Sequence, residues 1–296
     1  MSLRVAQSIA ELRSLLAQAR RTGKTIGLVP TMGSLHAGHG RLMELAREES
    51  GFVAVSIFVN PTQFNQQEDF HRYPREFEKD RQFCEALGVD CIFAPPVEEM
   101  YPRPGLTSVE VAVISETLCG PFRPGHFRGV ATVVAKLLNI VQPDFAYFGE
   151  KDAQQLAVIQ RMVEDLNLPV TIRPVATVRE PDGLALSSRN KHLSAGERQA
   201  ATVLYQALQA AERAIQAGER NAERVKQQAQ KIFDKQPGAR VEYFEIVNPA
   251  DMQPVAEIQI AESQGAEIQN AVRVAGAIWV GSTRLIDNIL VVPGER

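Results

Sequence analysis

The chain has 296 residues, 45% hydrophobic and 23% charged, with a formal net charge of −3. That is globular composition near the length at which one core divides into two, and the charge gives no global pull toward nucleic acid or an anionic membrane. No uninterrupted apolar stretch approaches a membrane span, and the three cysteines, Cys84, Cys91 and Cys119, lack metal-type spacing and fit a reduced, cytoplasmic setting.

The opening "MSLRVAQSIAELRSLLAQARR" predicts one amphipathic helix without the apolar centre of a signal peptide. "TIGLV" (25–29) predicts a strand and "HGRLMELAREE" (39–49) a helix with Leu42, Leu45 and Ala46 on one face. "FVAVSIFV" (52–59) is nearly continuous apolar, as a strand buried on both faces should be. A helix over 75–87 sets Phe77, Cys84 and Leu87 on one side, and "VDCIFA" (89–94) is the next strand. A helix over 127–141, a strand at 145–149, a helix at 153–166 and a strand at 170–178 follow. The alternation predicts an α/β fold, a doubly wound parallel sheet with helices on both faces.

The character changes at "REPDGLALSSRNKHLSAGE" (179–197), a polar hinge or linker, so the expected domains are 1–183 and 184–296. Ser194 and Glu197 make a capping box, and Leu204, Leu208, Ala211 and Ile215 follow at helical spacing to a stop at Gly218. A second helix starts near Asn221. Strands are expected at 240–247, 276–280 and 284–292, the last two joined through "GST" as a hairpin. The stretch 256–271 reads as a long connection. This second part is a smaller α+β domain.

In open α/β sheets ligands bind beyond the carboxyl ends of the strands, and the unusual polar stretches fall there. "PTMGSLHAGHG" (30–40) follows the first strand, "NPTQF" (60–64) the second, "GEKDAQQ" (149–155) the strand at 145–149, and "LSSRN" (186–190) the strand at 170–178. Four loops are thus expected to converge on one crevice. The glycines of the first loop allow close approach of backbone to ligand, and a helix N-terminus near Gly38 is expected to offer unpaired N–H groups to a phosphate. His36 and His39, three apart, share a face and suit a polyphosphate whose charge grows in a transition state. Metal ligation is the rival use of the pair, with His71 or His126 as third ligand. Lys151 suits phosphate oxygens, Asp152 ribose hydroxyls, and Gln63 a hydroxyl or carboxylate substrate. Arg123, His126 and Arg128 precede a helix as a possible anion cluster. Asp80, in the charged helix segment "EFEKDRQ", is a candidate Mg²⁺ ligand. "TGKT" (22–25) is not a P-loop: Gln18 stands where the first glycine belongs, and the segment precedes a strand.

"HAGH" resembles the H-x-G-H signature of the nucleotidylyltransferase superfamily, and "LSSRN" stands where those proteins carry a second phosphate loop. In order, "PTMGSLHAGH", "FVNPTQF", "YPRE", "RPGHFRGVATVV", "FGEKDAQQL", "LALSSRN" and "RLIDN" together resemble the pantothenate synthetase family, the pantoate–β-alanine ligases. The resemblance implies a Rossmann-like first domain, a smaller second domain and a homodimer. It implies a ligase that uses ATP and Mg²⁺ to join pantoate to β-alanine through an acyl-adenylate, with no nucleic acid partner. Met32, Gly33, Ser34, Leu35, His36, Ala37, Gly38 and His39 would line the ATP site, with His39 catalytic and His36 on the phosphates. Gly149, Glu150, Lys151 and Asp152 would border the nucleotide, with Lys151 on phosphate and Val178 against adenosine. Leu186, Ser187, Ser188 and Arg189 would close over the phosphates. Gln63 and Gln155 would hold pantoate. His192 departs from the tyrosine the family is expected to carry. A plain nucleotidylyltransferase and a non-catalytic nucleotide-binding module are the alternative functions.

Overall fold

A computed structural model describes residues 2–65, 70–71, 73–259 and 270–294. They fall into two units. The first comprises Met1–Ser115, Arg123–Glu150 and Val158–Val178, and the second Glu116–Phe122, Lys151–Ala157 and Arg179–Arg296. The last change of unit falls at 178/179, and two short segments before it, one of them carrying Lys151, group with the second unit.

The predicted opening helix is instead a short strand, β1 (Arg4–Ala6), followed by α1 (Ile9–Arg21). Ser8 is the reason. Its backbone is extended, its hydroxyl accepts from the Glu11 N–H, and the Glu11 carboxylate takes the N–H groups of Gln7 and Ser8 at 2.9 and 3.1 Å. With the first turn closed in this way, the residues before it are released to pair with the sheet. Leu12, Leu16 and Ala19, at i, i+4 and i+7, are the buried stripe of α1.

The first unit continues through β2 (Ile26–Thr31), α2 (Ala37–Glu49), β3 (Phe52–Ile57), α3 (Phe77–Ala86), β4 (Cys91–Phe93), α4 (Val97–Met100), α5 (His126–Val141), β5 (Phe145–Gly149), α6 (Ala153–Asp165, which groups with this unit only from Val158 onward) and β6 (Thr171–Val175). All six strands are parallel, in the order β1-β4-β3-β2-β5-β6. The chain moves outward from β2 in one direction through β3 and β4, then returns to pair β5 on its other side. The topological switch point therefore lies between the carboxyl ends of β2 and β5. Val29, Val53, Val55, Ile92 and Tyr147 form one core with Leu42, Met43 and Ala46 of α2 and Cys84 of α3. Leu28 and Ala54, alternate in the strands, are also buried, so both faces are covered.

In the second unit, α7 (Ala195–Ala201), α8 (Val203–Gln216) and α9 (Ala222–Phe233) accompany an antiparallel sheet β7 (Ala239–Val247), β8 (Val272–Val280) and β9 (Thr283–Val291). The Ser194–Glu197 capping box forms, Asn221 caps α9, and Gly218 takes the left-handed conformation, φ +99°, that ends α8. β8 and β9 pair as the expected hairpin, although β8 begins four residues before "GAIWV". Residues 260–269 of the expected long connection lie outside the described residues.

Cys84, Cys91 and Cys119 are free and buried, and burial pushes the thiols of Cys84 and Cys91 up to about 12. Native protein at neutral pH should accordingly resist a thiol-titrating reagent and release three equivalents only when unfolded, which a colorimetric thiol titration with and without denaturant reads directly.

Candidate active site

In the first unit the site begins where β2 ends. The Thr31 hydroxyl donates to the Ser56 carbonyl at 2.7 Å and accepts from the Gly33 N–H at 3.2 Å. Gly33 and Ser34 then adopt positive φ, +82° and +51°. The turn is held from below by Asp80 of α3, whose two carboxylate oxygens accept from Ser34 N–H at 2.9 Å and Leu35 N–H at 2.8 Å. Asp80 is 3% exposed, so the sequence reading that set it on a charged helix face is corrected: a buried anion anchors the loop. Only glycine fits at 33, because a Cβ there would stand 2.9 Å from Asp80 Oδ2 in addition to the left-handed φ. The Ser34 hydroxyl is buried without a hydrogen-bond partner among the described residues.

The two histidines form the start of α2. His36 is the N-cap and its Nδ1 accepts from Gly38 N–H at 3.1 Å; His39 Nδ1 accepts from His36 N–H at 3.3 Å. The rings lie 4.2 Å apart between centroids. This is a capping box made of imidazoles, and it takes up the Gly38 N–H, one of the donors expected to be open at this helix end. Because Nδ1 is the acceptor in both rings, the neutral tautomer of each carries its proton on Nε2. The arrangement supplies two oriented N–H donors beside the positive end of a helix dipole.

"NPTQF" is bound to the same loop. Gln63 is buried; its Oε1 accepts from Asn60 Nδ2 at 3.0 Å and its Nε2 meets Met32 Sδ at 2.9 Å. Asn60 also donates to the Gly129 carbonyl at 3.2 Å and accepts from the Tyr101 hydroxyl at 2.9 Å. His126 is spent on this framework, with Nδ1 2.9 Å from the Gln63 carbonyl and Nε2 3.1 Å from Arg123, and is not a third partner for His36 and His39. A cavity of about 290 Å³ opens beyond β2, β3 and β4, lined by Met32, Gly33, Phe58, Phe77, Asp80 and Pro95 among others. Gly149, Glu150 and Val178 also belong to the first unit and are half-buried.

The second unit carries Lys151, Asp152, Gln155 and 186–189. Lys151, Ser187 and Arg189 line one cavity together with Asn190, Arg284 and Asp287, so two of the sequence-predicted loops do meet. The Ser187 hydroxyl caps the following turn by accepting from Arg189 N–H, and Asn190 Nδ2 clasps the loop through Glu180 and the Ala185 carbonyl, each at 3.1 Å. Lys151 Nζ is 3.8 Å from Asp152. Among the described residues, no three His, Cys, Asp or Glu side chains gather as a metal centre.

Sequence reasoning missed the polar core behind this cavity. Arg179 forks onto Asp287 at 2.5 and 3.0 Å, and Asn288 Nδ2 donates to the Lys151 carbonyl at 3.0 Å. Burial pushes the Asp287 carboxyl above its ordinary value, against the pull of Arg179, the Asn288 N–H and Lys151. The signal was present in "RLIDN": Asp287 stands two residues after Leu285, on the buried face of an alternating strand, where a carboxylate needs a partner.

A family model described as pantoate-beta-alanine ligase matches residues 4–290. The chain is 50% identical over 284 residues to a pantothenate synthetase of Moorella thermoacetica, covering 96% of this chain and 97% of that one. It superimposes on a crystal structure of pantothenate synthetase from Thermus thermophilus with TM-score 0.89 and 45% identity, over 98% of this chain and 100% of that one. A pantoate-beta-alanine ligase from Francisella tularensis, solved with beta-gamma ATP and beta-alanine, matches with TM-score 0.78 and 34% identity over 98% of both chains. From its H-x-G-H turn to its "RLIDN" strand, the chain belongs to the pantoate–β-alanine ligase family.

Proposed function

We propose that this protein is an AMP-forming ligase that makes pantothenate from pantoate and β-alanine. A pantoate carboxylate oxygen attacks the α-phosphorus of ATP, and the bond to the bridging oxygen of pyrophosphate breaks. The β-alanine amine then attacks the acyl carbon, loses a proton, and AMP leaves with its electron pair. The observation that carries this reading is the imidazole capping box at the start of α2, in which each Nδ1 accepts from a backbone N–H and the proton of each neutral ring is therefore on Nε2. Donors of this kind stabilise phosphate charge that develops in the transition state. Family membership and the ATP and beta-alanine bound by the Francisella relative support the substrates.

In this reading His39 and His36 donate to the triphosphate, and Lys151, Ser187, Ser188 and Arg189 are phosphate contacts. The segments 32–39 and 149–152 and Val178 contact ATP, while Gln63 and Gln155 hold pantoate. Mg²⁺ enters as substrate, bound to ATP; the Asp80 oxygens are already on the loop amides, and the described residues offer no separate metal centre. A cytoplasmic homodimer is part of the proposal. The three free buried thiols support a reducing compartment. The family resemblance supports the dimer.

The test is isotope exchange. Labelled pyrophosphate should enter ATP only when pantoate is present, and AMP should accumulate only when β-alanine is added. Exchange without pantoate, or none at all, overturns the proposal; a stable nucleotidyl conjugate in place of AMP would indicate a plain nucleotidylyltransferase.

The support under Gln63 gives a further test. Gly129 of α5 packs so closely on this turn that a Cβ would sit 2.3 Å from the Thr62 carbonyl oxygen and 2.8 Å from Gln63 Cα. Gly129→Ala should cost about 1–3 kcal/mol of stability through overpacking. It should also raise the KM for pantoate, since the displaced segment carries Gln63. Thermal unfolding and substrate titration check both.

A further inference from the structure

We propose that Asn288 is a positioning residue for Lys151, acting through its side-chain amide on the Lys151 carbonyl; the inference rests on the reading of Lys151 as a phosphate contact.

The geometry fixes which end of the amide faces which partner. Arg273 donates to Asn288 Oδ1, so Nδ2 is the end presented to the Lys151 carbonyl, at 3.0 Å. The Asn288 backbone is held as firmly: its N–H donates to Asp287 Oδ1 at 2.8 Å, and its carbonyl accepts from Arg179 at 3.3 Å. Arg179 in turn is fixed from three sides. It forks onto Asp287, donates to the Gly183 carbonyl at 3.1 Å, and stacks over the Tyr205 ring at 4.1 Å. Gly183 admits that ring: a Cβ there would lie 2.1 Å from Tyr205 Cδ1.

Arg273, Asp287 and Asn288 are each 5–7% exposed. Removing such groups from water costs several kcal/mol per ion, which an apolar core of the same volume avoids, so stability alone is a poor reason to keep them. What a buried hydrogen-bonded network does supply is a restricted geometry. Here it ends on the backbone carbonyl of Lys151 itself, at the root of the side chain it positions. The side chain of Lys151 is 19% exposed and lines the same cavity as Ser187 and Arg189. A shift of about 1 Å in a group aimed at a reacting centre can cost roughly 10²-fold in rate.

The test is a double-mutant cycle in the full-length protein, read by pyrophosphate exchange. Asn288→Asp keeps the Oδ1 acceptor for Arg273 and sets oxygen against the Lys151 carbonyl. It should lower the kcat of exchange about 10–100-fold and leave the KM for pantoate unchanged. In a Lys151→Ala background the same change should cost no more than about twofold. Asn288→Ser, which removes the amide without adding charge, serves the same cycle if the aspartate variant does not fold. An unchanged kcat in either folded variant overturns the inference, as does a full penalty in the Lys151→Ala background. Lys151→Ala alone addresses the reading beneath it. If that variant exchanges at the wild-type rate, Lys151 is not a phosphate contact, and both fall.

Discussion

His39→Asn is expected to keep the fold and slow pyrophosphate exchange by about 10²–10³-fold, the loss that follows removal of one aimed donor. The choice of asparagine comes from the cap. Asparagine places an oxygen where the imidazole has Nδ1, so it preserves the acceptor for His36 N–H. It has nothing at the position of Nε2. His39→Gln is the complement: it sets an amide N–H near Nε2 and leaves the His36 N–H without its partner. The glutamine variant should lose about 0.5–2 kcal/mol of stability, as for a lost cap, and keep more activity than the asparagine variant. Thermal unfolding and exchange on the two proteins separate the cap from the donor. A His39→Asn protein with full exchange activity would show that the ring serves only to start α2.

The doubly wound sheet was legible because its strands are apolar runs of four to eight residues separated by helical periods, and buried parallel strands need little else. β1 was not legible. Three residues carry no period, and "RVA" joins the following helix without a break in hydrophobic pattern; only Ser8 with Glu11 marks the true start. That "PTMGSLHAGHG", "NPTQF" and "GEKDAQQ" follow strand ends was legible for the same reason as the sheet. Their internal chemistry was not. That Asp80 reaches the amides of Ser34 and Leu35 is a fact of tertiary packing, 45–46 residues distant in the chain, and its neighbours Lys79 and Arg81 suggested a solvated face. His36 and His39 were visible as a pair. The role of Nδ1 was not, because an imidazole cap leaves no pattern distinct from a ligand-binding pair. "RLIDN" was visible only as part of a resemblance, although the alternation of Leu285 and Asp287 on the buried face already required a cation from elsewhere.

Asp80→Asn separates anchoring from metal binding. An asparagine offers one oxygen and one NH₂ group, so one of the two loop amides, Ser34 or Leu35, must face a donor. Hydrogen bonds to charged groups contribute about 1.5–3 kcal/mol each, and a loss of that order should appear in chemical denaturation. The effect on function should be larger than the effect on folding. Ser34 holds φ +51° only while its N–H is tethered, and a non-glycine residue there stores about 1–3 kcal/mol of strain. Once the tether is lost the turn relaxes, the N-cap of α2 moves with it, and the KM for ATP should rise by at least about tenfold. Gly33→Ala attacks the same contact from the other side, because its Cβ would meet Asp80 Oδ2 at 2.9 Å. The two changes share one partner, so the double variant should be little worse than either single variant. The Mg²⁺ dependence is the deciding measurement. With MgATP held fixed below its KM, an anchor predicts that Asp80→Asn lowers activity by the same factor at every free Mg²⁺ concentration. A metal ligand predicts that excess Mg²⁺ restores it, and that result would overturn the assignment of Asp80 to the loop.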